Sequence, residues 1–289
     1  MTGFLLTIYK IGAKIFTGTG ISQNRVIRKI LHKMYSQLKS EFVNIEGNRL
    51  FLDVEDALFL SVNGLHEKTE TELIKKEIKK GDFVIDIGAN IGYYTLLFAK
   101  LVGSSGHVLA FEPESKNFEL LKKNVNENNY KNVTLIQKAI SNENKIKNFY
   151  LTHSGTTAHR LSKPHDGNDS IKIETIYLDD FLKNFKKPVN FVKIDIHGAE
   201  GKAIKGMLST IKKTPSIKIL QEWWPDAIKD YDMEPEEHLN ILTKLGFSLY
   251  EIDDVHQKII ESSIDELLNK YPTTKIKDVN IFCKRKNID

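Results

Sequence analysis

The chain has 289 residues, 40% hydrophobic and 28% charged, a globular composition long enough to bury a core without disulfides or structural metal. Its single cysteine, Cys283, excludes an intrachain disulfide and a cysteine-rich zinc knuckle, and it points to a reducing, cytoplasmic setting. A net charge of +4, from 42 basic and 38 acidic residues, argues against wholesale nucleic-acid binding.

The charge is unevenly spread. No acid precedes Glu41, whereas Lys10, Lys14, Arg25, Arg28, Lys29, Lys33 and Lys39 make residues 1–40 a basic arm. The apolar run Phe4 to Tyr9 is too short to span a bilayer and lacks the flanks of a signal peptide. Ile27, Ile30, Leu31, Met34 and Leu38 fall at helical spacing, which predicts an amphipathic helix. Such a helix either packs on the main domain or touches an anionic membrane surface from the cytoplasm.

Residues 41–80 read as a lead-in of a strand pair, over 50–62, and a helix. Thr69 and Glu72 form a capping box before Leu73, Ile74 and Ile78, and Gly81 closes that helix. Residues 81–286 then repeat strand, turn and helix: FVIDIG, a helix from Ile91, HVLAFEP, a helix over 116–126, and VTLIQKA. This alternation predicts an α/β fold with a doubly wound, mostly parallel sheet. Residues 146–176 interrupt the rhythm with two strands around a polar loop holding His153, His159 and His165, an inserted hairpin whose histidines lack metal-ligand spacing. VNFVKID, a helix over 200–213, SIKILQEWW and a helix over 236–245 resume it, and FSLYEID and DVNIFCKR close the sheet as an antiparallel pair.

The chemistry concentrates at Asp86-Ile87-Gly88-Ala89-Asn90-Ile91-Gly92, between a buried strand and a helix. Gly88 permits the tight turn and a close approach to a ligand, and Gly92 lets the helix approach the sheet. A dinucleotide site would show GxGxxG, with pyrophosphate over the helix N-terminus. Here the pattern is DxGxNxG, and Asp86 would repel a pyrophosphate but suits an ammonium or sulfonium. Glu112 ends the second strand, where an acid accepts ribose hydroxyls. S-adenosyl-L-methionine meets these demands, with an amino-acid end, an unphosphorylated ribose and a positive sulfur.

Asp195 ends the VNFVKID strand, His197 follows on the loop, and Glu222 ends the next strand before Trp223 and Trp224. Transfer of a methyl group to an alcohol needs a base for the hydroxyl proton, and Asp195 or His197 could supply it. The adjacent tryptophans are either a platform for a sugar face or one core and one rim residue. Asp195 with Glu222 could also hold a divalent ion, but two carboxylates on neighbouring strands do not demand one, and no metal is assigned.

The blocks GDFVIDIGANIGYYTLLFAK, VLAFEPESKNFELLKKNVNEN, LIQKAIS, TIYLDDFL, VNFVKIDIHGAEGKAIKG and ILQEWWP resemble, in order and spacing, the FkbM-type S-adenosylmethionine-dependent methyltransferases, a class I Rossmann-like group. The likeness runs over about residues 50 to 255. It implies O-methylation of a hydroxyl on a sugar, glycan, glycolipid or related small molecule. It also implies cofactor contacts at Asp86, Gly88, Ala89, Asn90, Gly92, Glu112, Pro113 and Ala139, and catalytic roles for Asp195, His197 and Glu222. The family's block usually reads IDxEGxE, and His197 stands here in place of its first glutamate. The rival readings are a nicotinamide-dependent oxidoreductase on the same fold and a cofactor-binding module without chemistry.

Overall fold

The computed structural model describes residues 40–54, 56, 58, 60–151, 161, 169–273 and 278–286. The helix expected in the basic arm and the loop histidines His153, His159 and His165 lie outside them. The chain forms two compact units, one up to His66 and one from Glu67 onward, so the lead-in of 41–80 is divided between them.

In the first unit, strands β1 (Phe42–Ile45) and β2 (Asn48–Phe51) form an antiparallel hairpin. Its turn is Glu46-Gly47, both at positive φ, the conformation that matches the twist of a two-residue hairpin. The strand pair expected over 50–62 is therefore displaced toward the N-terminus. Within that span a short helix, α1 (Leu60–Asn63), forms instead, because buried Asp56 accepts hydrogen bonds from the backbone N–H groups of Leu60 and Ser61, both at 2.9 Å.

The second unit begins with α2 (Lys68–Glu77). The capping box expected at Thr69 does not form. Thr69 lies inside the helix, and its hydroxyl donates to Asp254 Oδ1 at 2.7 Å, which takes it away from the helix end. The helix also stops at Glu77, short of Gly81.

From there the strand and helix alternation holds: β3 (Phe83–Ile87), α3 (Tyr93–Val102), β4 (His107–Phe111), α4 (Ser115–Glu127) and β5 (Val133–Ile136). VTLIQKA, expected as one strand, divides after Ile136, and its remainder becomes β6 (Ala139–Ser141) in a different sheet. There β6 runs parallel to β8 (Ser170–Tyr177), which pairs antiparallel with β7 (Lys145–Tyr150); the last two are the inserted hairpin. A turn of helix α5 (Leu178–Phe181) leads to β9 (Phe191–Ile194). The single helix expected over 200–213 is two, α6 (Glu200–Lys205) and α7 (Leu208–Lys213). They part at Gly206, where a Cβ would lie 2.2 Å from the Ser141 carbonyl oxygen.

β10 (Lys218–Trp223), α8 (Pro225–Asp230), α9 (Pro235–Lys244), β11 (Phe247–Asp253), β12 (Lys258–Glu261), α10 (Ile264–Lys270) and β13 (Val279–Arg285) complete the unit. The main sheet has the order β12-β11-β13-β10-β9-β3-β4-β5. Its stretch from β10 to β5 is parallel, and β13 and β11 join it antiparallel, as the sequence predicts. Ile85, Leu109, Val192, Ile194, Ile219 and Ile281 fill the core along the sheet. The order reverses between β3 and β9, because β3 is followed in chain order by β4 on one side while β9 and β10 lie on the other. Ligands of open α/β sheets bind in the crevice beyond the strand carboxyl ends at such a switch point.

Candidate active site

Two groups of residues flank this switch point. On the β3 and β4 side, the N–H groups of Gly88 and Ala89 both donate to the Phe111 carbonyl at 3.0 Å, closing the turn after β3. Gly88 has φ 85°, and a Cβ there would lie 2.0 Å from the carbonyl oxygen of Asp195. The place a Gly88 side chain would take is thus filled by the chain's own β9 end, so packing against β9 alone already requires glycine here. A Cβ on Gly92 would meet the Leu121 side chain at 2.7 Å, so this glycine brings α3 against α4 and not directly against the sheet.

Glu112 is the buried acid at the end of β4. One carboxyl oxygen accepts from the N–H of Asn90 and the other from the N–H of Glu114, both at 2.9 Å, with Pro113 making the turn between them. Burial raises its pKa to about 8 against the lowering effect of those two bonds. Once ionised, each oxygen has two acceptor sites, so one on each then remains for a ribose hydroxyl.

Asp86 lies beneath the turn. It is buried, its Oδ2 accepts from the Thr95 hydroxyl at 2.6 Å, and burial raises its pKa to about 6 against the pull of Lys193. Its visible bond therefore ties β3 to α3. Ala139, in β6, packs with Phe149, Ile173, Ala199 and Tyr231 in the core of the second sheet.

On the β9 and β10 side, Asp195 follows β9 and its N–H donates to the Ile87 carbonyl at 3.0 Å, holding it level with the glycine turn. Its Oδ2 accepts from Lys193 Nζ at 2.8 Å. Burial pulls the Lys193 ammonium down, but the carboxylates of Asp195, Glu67 and Asp86 outweigh it, and its pKa stands above the ordinary lysine value. Lys193 also lies 4.5 Å from the Tyr94 ring centre, and the Tyr94 hydroxyl donates to Glu67 at 2.5 Å.

His197 has φ 48°, in the left-handed region, and its Nδ1 lies 3.0 Å from Glu222 Oε2. The loop that carries it is held from below by fully buried Glu200, whose oxygens accept from the N–H groups of Ile196 at 3.1 Å and Gly198 at 2.8 Å. Burial, then Glu222, raises the Glu200 pKa to about 8. Burial also raises Glu222, His197 opposes that and Asp195 adds to it. Asp195, His197 and Glu222 each bring one donor atom to a cluster whose members lie within 4.8 Å of one another. Trp223 is fully buried and stands edge-on to Tyr271, while Trp224 is half-buried and edge-on to His197, so the pair is one core and one rim residue.

Lys193 and Glu200 had no role in the sequence reading. A lysine between apolar residues of a buried parallel strand signals a counter-charge nearby, since a buried ammonium is costly without one. The acid two residues after Gly198 had no comparable signal, because its bonds to the loop depend on a turn that only the structure displays.

The donor set at the glycine turn fits S-adenosyl-L-methionine. Glu112 offers two acceptor positions to a ribose diol, and the fixed turn beside it ends opposite Asp195. No helix among the described residues is long and apolar enough to cross a membrane.

Residues 86–249 match the family model described as the methyltransferase FkbM domain. A relative, Methyltransferase 1 of Beauveria bassiana, is 27% identical over 172 residues, covering 48% of this chain and 68% of that protein. Hexuronic acid methyltransferase AglP of Haloferax volcanii is 26% identical over 147 residues, covering 50% of this chain and 58% of that protein. Protein-L-isoaspartate O-methyltransferase of Methanosarcina mazei matches over only 25% of its length, at 38% identity and over 21% of this chain. Among solved structures, the O-methyltransferase from Bacillus cereus in complex with SAH has a TM-score of 0.44 at 14% identity, covering 76% of this chain and 80% of that one. The family match displaces the oxidoreductase reading, and the chain belongs to the FkbM methyltransferase family, whose cofactor is S-adenosyl-L-methionine.

Proposed function

We propose that the protein O-methylates a hydroxyl on a sugar, glycan, glycolipid or related small molecule, in the cytoplasm. The observation that carries this reading is the placement of Asp195 beside the His197–Glu222 pair, across the switch point from the glycine turn. The likeness to AglP, a hexuronic acid methyltransferase, supports a sugar acceptor.

When bound, S-adenosyl-L-methionine supplies an electrophilic methyl carbon on a positively charged sulfur. Glu112, with the turn from Gly88 to Gly92, binds and orients its ribose side. Asp195 accepts the proton of the acceptor hydroxyl, a role that needs a fixed carboxylate within hydrogen-bond reach. Lys193 holds that carboxylate in place through Oδ2, and Glu200 fixes the loop that aims His197. His197, Glu222 and half-buried Trp224 line the acceptor side, with the Trp224 ring offered to an apolar sugar face.

The test is transfer of labelled methyl from S-adenosyl-L-methionine to a panel of uronic acids, neutral sugars, glycolipids, amines and carboxylates by the purified full chain. Label on a hydroxyl oxygen of a sugar is the expected outcome. Label found only on nitrogen or carboxyl acceptors would reject the proposal.

A further inference from the structure

We propose that Asp195, His197 and Glu222 form a three-ligand site for a divalent cation, which holds two neighbouring hydroxyl oxygens of the acceptor beside the glycine turn. The part concerning the acceptor rests on the O-methylation reading; the ion site does not.

The donors are one imidazole nitrogen and two carboxylates, from the end of β9, the loop after it and the end of β10, all within 4.8 Å of one another. Two ligands bound at about 2.1 Å and at right angles around one ion stand about 3.0 Å apart. His197 Nδ1 and Glu222 Oε2 are hydrogen-bonded at 3.0 Å, so an ion can take the place of the shared proton without moving either group. Three protein ligands leave the other octahedral positions for two acceptor oxygens and a water. One imidazole with two carboxylates suits a first-row divalent ion such as Mn2+ better than an all-oxygen site would, because imidazole favours these metals while carboxylates accept both them and magnesium.

Asp195 and Glu222 repel each other, and Asp278 adds to the repulsion at Glu222. Buried Lys193 is shared among Asp195, Asp86 and Glu67. Acid exceeds base on this side of the crevice, and a divalent cation offsets that excess where it is largest.

The ligands are also supported from behind. Lys193 fixes Asp195 by its Oδ2, buried Glu200 fixes the backbone of the His197 loop, and Trp224 stands against the His197 ring. Partners of this kind orient metal ligands and commonly change affinity by about 10–100-fold when removed.

The experiment titrates the full chain with Mn2+, without cofactor or acceptor, and follows the free ion by its electron paramagnetic resonance. One ion per chain is expected, with His197→Ala and Glu222→Gln each weakening it at least about tenfold. Both variants are first shown to be folded by their melting temperatures and by retained S-adenosyl-L-methionine binding. No bound Mn2+, or equal binding in the wild type and both folded variants, overturns the site. Methyl transfer to a sugar hydroxyl at the same rate after removal of metal by a chelator overturns the ion's hold on the acceptor while leaving O-methylation standing. Ligand-dependent Mn2+ binding with transfer only to non-hydroxyl acceptors keeps the ion site and rejects the O-methylation reading.

Discussion

The α-carbon of Gly88 faces the carbonyl oxygen of Asp195 so closely that a methyl group on it would come within 2.0 Å of that oxygen. The glycine turn after β3 and Asp195 after β9 are thus held together by backbone contact. Gly88→Ala would meet both this overlap and a φ of 85°, which costs a non-glycine residue about 1–3 kcal/mol before any overpacking. The variant's melting temperature without ligand is expected to fall by several degrees. A wild-type melting temperature together with lost cofactor binding would show that Gly88 serves the ligand directly.

Glu112→Gln keeps an oxygen for one of the two backbone N–H groups but loses the second carboxyl oxygen. Affinity for S-adenosyl-L-methionine should weaken by about 1.5 kcal/mol or more, close to tenfold, while turnover at saturating cofactor changes little. The ribose bonds are made equally before and during the reaction, so they appear in binding. Calorimetric titration and saturation kinetics give the two numbers separately; affinity within a factor of about two of wild type would remove Glu112 from the ribose site.

Three buried acids predict how stability depends on pH. Burial raises Glu112 and Glu200 to about 8 and Glu70 to about 7, from an ordinary value of 4.5. In the unfolded chain each ionises near that ordinary value, whereas in the folded chain each holds its proton longer. Their contribution to stability is therefore whole below pH about 4.5 and is lost as pH rises toward about 8. The melting temperature of the cofactor-free protein should fall across that window. Glu112→Gln and Glu200→Gln should each flatten the decline; an unchanged slope in both would remove these groups as its source.

Asp195→Asn should cost roughly the hundredfold or more in turnover that accompanies loss of a general base, with cofactor binding intact and no recovery at saturating Mn2+, which separates the lost base from a weakened ion site. His197→Glu restores the residue usual in the family's block and should stay within a few-fold of wild type, since a carboxylate at the same loop position can still line the acceptor side. An active Asp195→Asn protein with an unchanged pH profile would end the assignment of Asp195 as base.

The order of strands and helices from residue 83 to 136 was legible because each strand is an apolar run and each following helix begins at a glycine turn or a capping acid, signals that lie within a few residues of one another. The turn DxGxNxG and the acid at Glu112 could be read for the same reason. Where a local signal had a competing long-range partner, the sequence misled: Thr69 bonds Asp254 instead of capping its helix, and Gly206 breaks a helix because the Ser141 carbonyl lies against it.

What the sequence by itself determined was the α/β class, the glycine turn after β3 and the buried acid at the end of β4. Only the tertiary structure decided that His197 meets Glu222, that Lys193 holds Asp195, and that Gly88 is required by the backbone of β9. The physical reason is that periodicity and turn chemistry are set by neighbours along the chain. The pairing of β3 with β9 and of β9 with β10, which gathers these residues at one edge, comes from hydrogen bonds between segments that the sequence separates.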